Sequence, residues 1–182
     1  MPCGCGKKRG GPGIANFREP SEATGLPEDW GPSLWFILHL LAHRIGSIPE
    51  LLNDYRLGMD MLINWLPFIL PCEYCQEHCR TYLSENSISY WANITDINEL
   101  KLHIQIWLMN FHNTVRSRKN QEIIINTIDD LNAEYTGKIL EDCQIKVITD
   151  NILFGVKTGK VKMVNWKRWQ IQFNKMKVML GL

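Results

Sequence analysis

The sequence predicts an all-α protein, a four-helix bundle with a short fifth helix and a C-terminal appendage. Two observations predict it. Apolar residues recur at steps of three and four along several segments, and Pro, Gly and capping residues break those segments with short joins between them. Three units follow along the chain: an N-terminal arm over 1–26, a helical domain over 27–140 and a basic extension over 141–182.

Residues 1–26 are rich in Gly, Pro and charge and carry a poor apolar pattern, so a flexible arm is expected. The first helix follows from Leu34, Trp35, Leu38, Leu41, Ala42 and Ile45, one stripe that Gly46 ends. Pro49 suits the first position of a second helix, whose stripe runs from Leu51 to Ile69 and is broken by Pro67 and Pro71. Pro71 also suits the opening of a third, which carries Cys72, Cys75 and Cys79 on one face and stops near Asn86. Asp96 with Glu99 resembles a capping box ahead of Leu100, Ile104, Trp107, Leu108, Phe111 and Val115, the fourth helix. A fifth spans 127–135 and is closed by Gly137. Beyond Leu140, β-branched stretches at 145–149 and 161–164 around Thr158-Gly159 suggest a hairpin. Trp166, Trp169, Phe173, Met176 and Leu180 then describe a basic amphipathic helix.

Composition narrows the function. Apolar content of 45% and charged content of 21% exclude a disordered or collagen-like chain, and a net charge of +1 argues against a protein that coats nucleic acid. The charge is uneven, because Lys157, Lys160, Lys162, Lys167, Arg168, Lys175 and Lys177 follow Asn151 with no acidic residue among them. No apolar run suits a signal peptide or a membrane span, so a soluble cytoplasmic protein is expected. The terminal helix is expected to pack on the bundle or self-associate; contact with membrane or nucleic acid is a third role.

The cysteines cluster as Cys3/Cys5 and Cys72/Cys75/Cys79, with Cys143 alone, which suggests redox or metal chemistry more than a disulfide framework. Pro-Cys-Glu-Tyr-Cys at a helix start suits thiol chemistry, since the positive end of the helix dipole favours the nucleophilic thiolate. Two intervening residues let Cys72 and Cys75 close a disulfide within one turn. Zinc on Cys72, Cys75, His78 and Cys79 is the competing reading, though all four share one or two helical turns. Inert buried thiols are the third. Taken singly, Trp35 reads as core and His39 and His112 as satisfied histidines.

Three separated motifs change that balance. Trp30-Gly31-Pro32-Ser33-Leu34-Trp35-Phe36-Ile37-Leu38-His39, Leu70-Pro71-Cys72-Glu73-Tyr74-Cys75, and Trp107 with Phe111-His112-Asn113-Thr114-Val115 stand in order over residues 28–136. In these the chain resembles the Erv/ALR sulfhydryl oxidases, especially the short viral members. The resemblance implies a flavoenzyme that forms disulfides in dithiol proteins and passes the electrons through FAD to O2, giving hydrogen peroxide. It implies catalytic roles for Cys72, exchanging with substrate, and Cys75, facing the flavin. By position Gly31, Trp35, His39, Trp107, His112, Asn113 and Val115 would hold FAD, with Arg116, Arg118 and Lys119 near its phosphates. No metal site is expected. Relatives often carry a shuttle pair on a terminal arm, a role open to Cys3 and Cys5. The chain departs from the family pattern at Pro32, at Met109 and after Val115. A homodimer is expected, with Cys79 and Cys143 as free thiols.

Overall fold

The computed structural model describes residues 23–182, and the Cys3/Cys5 pair lies outside them. Seven α-helices follow in order, and no strand occurs among the described residues. They are α1 (Pro27–Arg44), α2 (Leu52–Trp65), α3 (Glu73–Glu85), α4 (Ile97–Arg118), α5 (Ile128–Tyr135), α6 (Asp142–Lys157) and α7 (Met163–Met179). Pro49 opens a 3-10 turn, Pro49–Leu51, and α2 itself begins only at Leu52; a second 3-10 turn at Leu66–Phe68 ends α2 at Pro67, one of the prolines that break its stripe.

Local chemistry sets the ends. Gly46, just past α1, has φ of 99°, a left-handed conformation open to glycine at little cost. Asp96 caps α4 by accepting from the backbone N–H of Asn98 at 2.9 Å and Glu99 at 2.8 Å. At α5, Thr127 and Asp130 form a reciprocal capping box, each side chain accepting from the other's backbone N–H.

One core joins all the long helices. Leu41, Tyr55, Met59, Leu62, Ile63, Leu100, Ile104 and Leu108 are fully buried in it, and so are Cys79 and Met176. Burial of each large aliphatic contributes roughly 1.5–3 kcal/mol, and this sum outweighs helix propensity in fixing the fold.

The hairpin expected over 145–164 is absent, and α6 with the start of α7 stands there instead. Its β-branched residues fall on a helical face: Ile148 and Ile152 are buried, Ile145 is half-buried, and α6 packs along α1. The gain from that packing overrides their modest strand preference. Nor is α7 left as an unpacked tail. Trp166, Trp169, Phe173 and Met176 bury against α2, and Trp169 Nε1 donates to the Leu62 carbonyl at 3.1 Å. Met176 sits directly on Gly58, where no Cβ would fit.

A cavity walled by a cysteine turn, stacked aromatics and cations

Between α1, the turn before α3, α3 itself and the C-terminal half of α4 lies a cavity of about 720 Å³. That volume lies within the range of small-molecule and cofactor sites. Its walls divide by chemistry. Leu34, Trp35, Leu38, Leu66, Leu70, Phe111 and Val115 form an apolar floor, Cys72 and Cys75 one flank, and Arg116, Arg118 and Lys119 another.

The cysteine flank follows from how the chain enters α3. Cys72 is the N-cap, in extended backbone geometry, and its Sγ accepts from the Cys75 N–H at 3.2 Å. Cys72 and Cys75 are joined in a disulfide, with Cα atoms 5.1 Å apart. Both are half-buried and both line the cavity. When the pair is reduced, the same N–H and the helix dipole favour a thiolate on Cys72.

Residues far along the chain hold this turn in place. Gln76 Nε2 donates to the carbonyls of Leu70 at 2.8 Å and Lys160 at 3.0 Å, and its Oε1 accepts from Arg80 Nη2 at 3.1 Å. Gly155 of α6 lies under Pro71, where an added Cβ would stand 2.8 Å from the proline Cβ. The segment beyond residue 141 therefore buttresses the cysteine turn directly.

Also lining the cavity, the His112 ring of α4 stacks on Trp35 of α1 with centroids 4.3 Å apart and planes 5° apart. Behind it, His39 Nε2 lies 3.2 Å from His112 Nδ1, and His39 is 1% exposed. Burial pushes His39 down to about 3 and His112 to about 4, the neighbouring ring adding to the first and Arg116 to the second. Both rings are neutral at pH 7, so one must donate the shared proton to the other.

The cations that line the cavity are each tethered to a neighbour. Arg116 Nε donates to the Glu122 carbonyl at 2.6 Å, which leaves its terminal nitrogens available. Lys119 pairs with Glu28 at 2.9 Å, and the Lys119 hydrogen bond holds the Glu28 carboxyl below its ordinary range. The Arg118 guanidinium lies over the Tyr74 ring at 5.9 Å, bridging α4 and α3 across the cavity mouth.

Of the residues singled out from sequence, Gly31, Trp35, Cys72, Cys75, His112, Val115, Arg116 and Lys119 line the cavity. His39, Trp107 and Asn113 stand one layer behind it. Trp107 Nε1 donates to the Asn86 carbonyl at 2.8 Å, and Asn113 Nδ2 to the Ile125 carbonyl at 2.9 Å. Sequence reasoning missed Tyr74 and His78 as wall residues. His78 lies one helical turn beyond Cys75, a spacing that could have flagged it. It meets Phe111 edge-on at 5.6 Å.

Cys79, by contrast, is fully buried in the core, and burial pushes its thiol up to about 12. Cys143 Sγ donates to Glu141 Oε2 at 3.3 Å, far from the cavity walls. Among the described residues no group of three or more His, Cys, Asp or Glu gathers as metal ligands would.

Comparison with known proteins agrees with this construction. The model of the Erv1/Alr family matches residues 32–135. The chain is 33% identical over 95 residues to the FAD-linked sulfhydryl oxidase of African swine fever virus (isolate Pig/Kenya/KEN-50/1950), covering 52% of this chain and 71% of that protein. It is 30% identical over 95 residues to a putative FAD-linked sulfhydryl oxidase of Invertebrate iridescent virus 3, over 52% and 59% of the two chains. A putative FAD-linked sulfhydryl oxidase of Invertebrate iridescent virus 6 is 27% identical over 104 residues, 56% of this chain and 89% of its own. No solved structure gives a significant match. The matched span runs from Pro32 in α1 to the end of α5 and contains both cysteines, the Trp35–His112 stack and the rim cations, and the chain belongs to the Erv1/Alr family.

Proposed function

We propose that the chain is an FAD-linked thiol oxidase that oxidises dithiols in protein substrates through Cys72 and Cys75. The observation that carries this reading is the Cys72–Cys75 disulfide on the wall of a cavity whose other lining residues suit a flavin nucleotide. The donor set fits that cofactor. Flat apolar and aromatic surfaces suit the fused rings, and Arg116, Arg118 and Lys119 suit the pyrophosphate. Trp35, His112 and Val115 would hold the rings, with Gly31 beside them, while His39 meets His112, Trp107 packs on Phe111 and Asn113 ties α4 to the Ile125 carbonyl.

In the proposed cycle a substrate thiolate attacks Cys72 Sγ, breaking the Cys72–Cys75 bond and releasing Cys75 as a thiolate. A second substrate thiol then attacks the mixed disulfide, leaves as the oxidised product, and Cys72 departs as the leaving thiolate. The Cys75 N–H and the N-terminus of α3 stabilise that leaving group. FAD, when bound, supplies the two-electron acceptor that reoxidises the pair and delivers the electrons to O2 as hydrogen peroxide. The protein holds Cys75 at the cavity wall beside the apolar residues Leu34, Leu38 and Leu70.

Protein dithiols are the proposed substrate class, and a homodimer acting in the cytoplasm belongs to the same proposal. No helix among the described residues is long and apolar enough to cross a membrane. Cys72→Ser and Cys75→Ser should each reduce dithiothreitol-dependent oxygen uptake to background while leaving the bound flavin in place. Turnover retained by either variant would refute the assignment.

A further inference from the structure

The outer face of α7 combines exposed aliphatic side chains with basic ones. Trp166, Trp169, Phe173 and Met176 turn inward, so the opposite side of the helix presents Val164, Ile171 and Val178 at intervals of seven. These three are 50%, 59% and 82% exposed. Lys167, Arg168 and Lys175 flank them, all exposed. No acidic residue occurs after Asp150, and none of these three cations is ion-paired among the described residues. The result is an aliphatic stripe flanked by positive charge, of which Lys167 and Lys175 carry no ion pair among the described residues while the Arg168 guanidinium also lies over the Trp65 ring at 5.4 Å.

Charge complementarity selects the occupant. A second copy of this helix would bring like charges together, which disfavours self-pairing through this face. Nucleic acid would satisfy the cations but leave the aliphatics unused, and the aromatics of α7 that might stack on bases are buried. A coiled-coil partner needs a second apolar layer between the first, yet Lys167 and Asn174 occupy those positions. An anionic bilayer surface meets every requirement. It accepts a convex helix without a matching groove, takes aliphatic side chains at its interface and attracts flanking Lys and Arg.

We infer that α7 is a lipid-facing helix that docks the folded protein on anionic membrane surfaces through Val164, Ile171 and Val178 with Lys167, Arg168 and Lys175. The inference does not depend on the oxidase reading, because α7 lies outside the cavity walls and outside the family match.

The test is co-sedimentation of the full chain with vesicles of phosphatidylcholine alone, or with roughly three parts in ten phosphatidylserine. Binding is expected only to the anionic vesicles, and it should fall steeply between about 0.1 M and about 0.5 M salt. Lys167→Glu/Lys175→Glu, which leaves the Arg168–Trp65 contact intact, should weaken it about a hundredfold. Val164→Ser/Ile171→Ser/Val178→Ser should weaken it about tenfold. Melting temperature and dithiothreitol oxidation, which report the fold and the cavity, should stay unchanged in both. Failure to bind anionic vesicles overturns the inference. So does vesicle binding that the serine variant leaves intact, since charge alone would then explain it. Preferential binding of duplex DNA, or of an acidic helical peptide, over the vesicles also overturns it, in favour of that partner.

Discussion

Replacing Gln76 by Glu tests the link between the last two helices and the redox turn. The substitution keeps the side chain's size and its Arg80 contact, but it removes the donor that binds the Leu70 and Lys160 carbonyls at 2.8 and 3.0 Å. Leu70 is 5% exposed, so its carbonyl loses its partner with little access to water. A stranded buried acceptor costs about 1–3 kcal/mol, and the carbonyl of exposed Lys160 adds roughly 0.5–1 kcal/mol because water can replace its partner. The new carboxylate also faces two carbonyl oxygens. The expected loss is about 2–4 kcal/mol, or roughly 5–15 °C in melting temperature for a chain of this size. Urea unfolding of the oxidised protein measures it, and the midpoint should fall with an unchanged slope. A loss below about 0.5 kcal/mol would refute the view that Gln76 clamps the turn.

Two further predictions follow from the same reasoning. His39 and His112 are held at about 3 and about 4, whereas each would titrate near 6.5 unfolded, so between these values the unfolded chain binds more protons than the folded one. Stability should therefore be full above about pH 6.5 and fall as pH drops toward 4, by up to about 1.4 kcal/mol per unit for each histidine. Urea midpoints at pH 7 and pH 5 check this, and identical values would contradict it. Asp96→Ala should cost about 1 kcal/mol through loss of both cap hydrogen bonds on α4, while Asp96→Asn should keep most of that stability; thermal melts distinguish the two.

Much of the architecture was legible in the chain because its signals are local. Asp96 and Thr127 stand at the starts of their helices, Gly46 marks the end of α1, and Cys72-x-x-Cys75 marks the entry into α3 within a few residues. The misplaced hairpin shows where local preference fails. The β-branched residues of 145–149 favour strands by composition, yet the spacing of Ile145, Ile148 and Ile152 suits a helix packed on α1. The layering of the site was hidden for a related reason. His39 and His112 sit 73 residues apart, and nothing in either motif says that the first backs the second. Gln76 is separated from Lys160 by 84 residues, and Gly155 meets Pro71 only in the folded chain. Such contacts leave no periodic trace.

The central claim is that Cys72 and Cys75 exchange electrons with a flavin held in the adjoining cavity. An anaerobic dithiothreitol titration of the purified protein, followed in the visible flavin band, tests it directly. The expected result is a yellow protein whose band bleaches and returns on admitting oxygen with matching hydrogen peroxide, and a Cys75→Ser variant that stays yellow. A colourless protein, or a flavin that bleaches equally without Cys75, would contradict it.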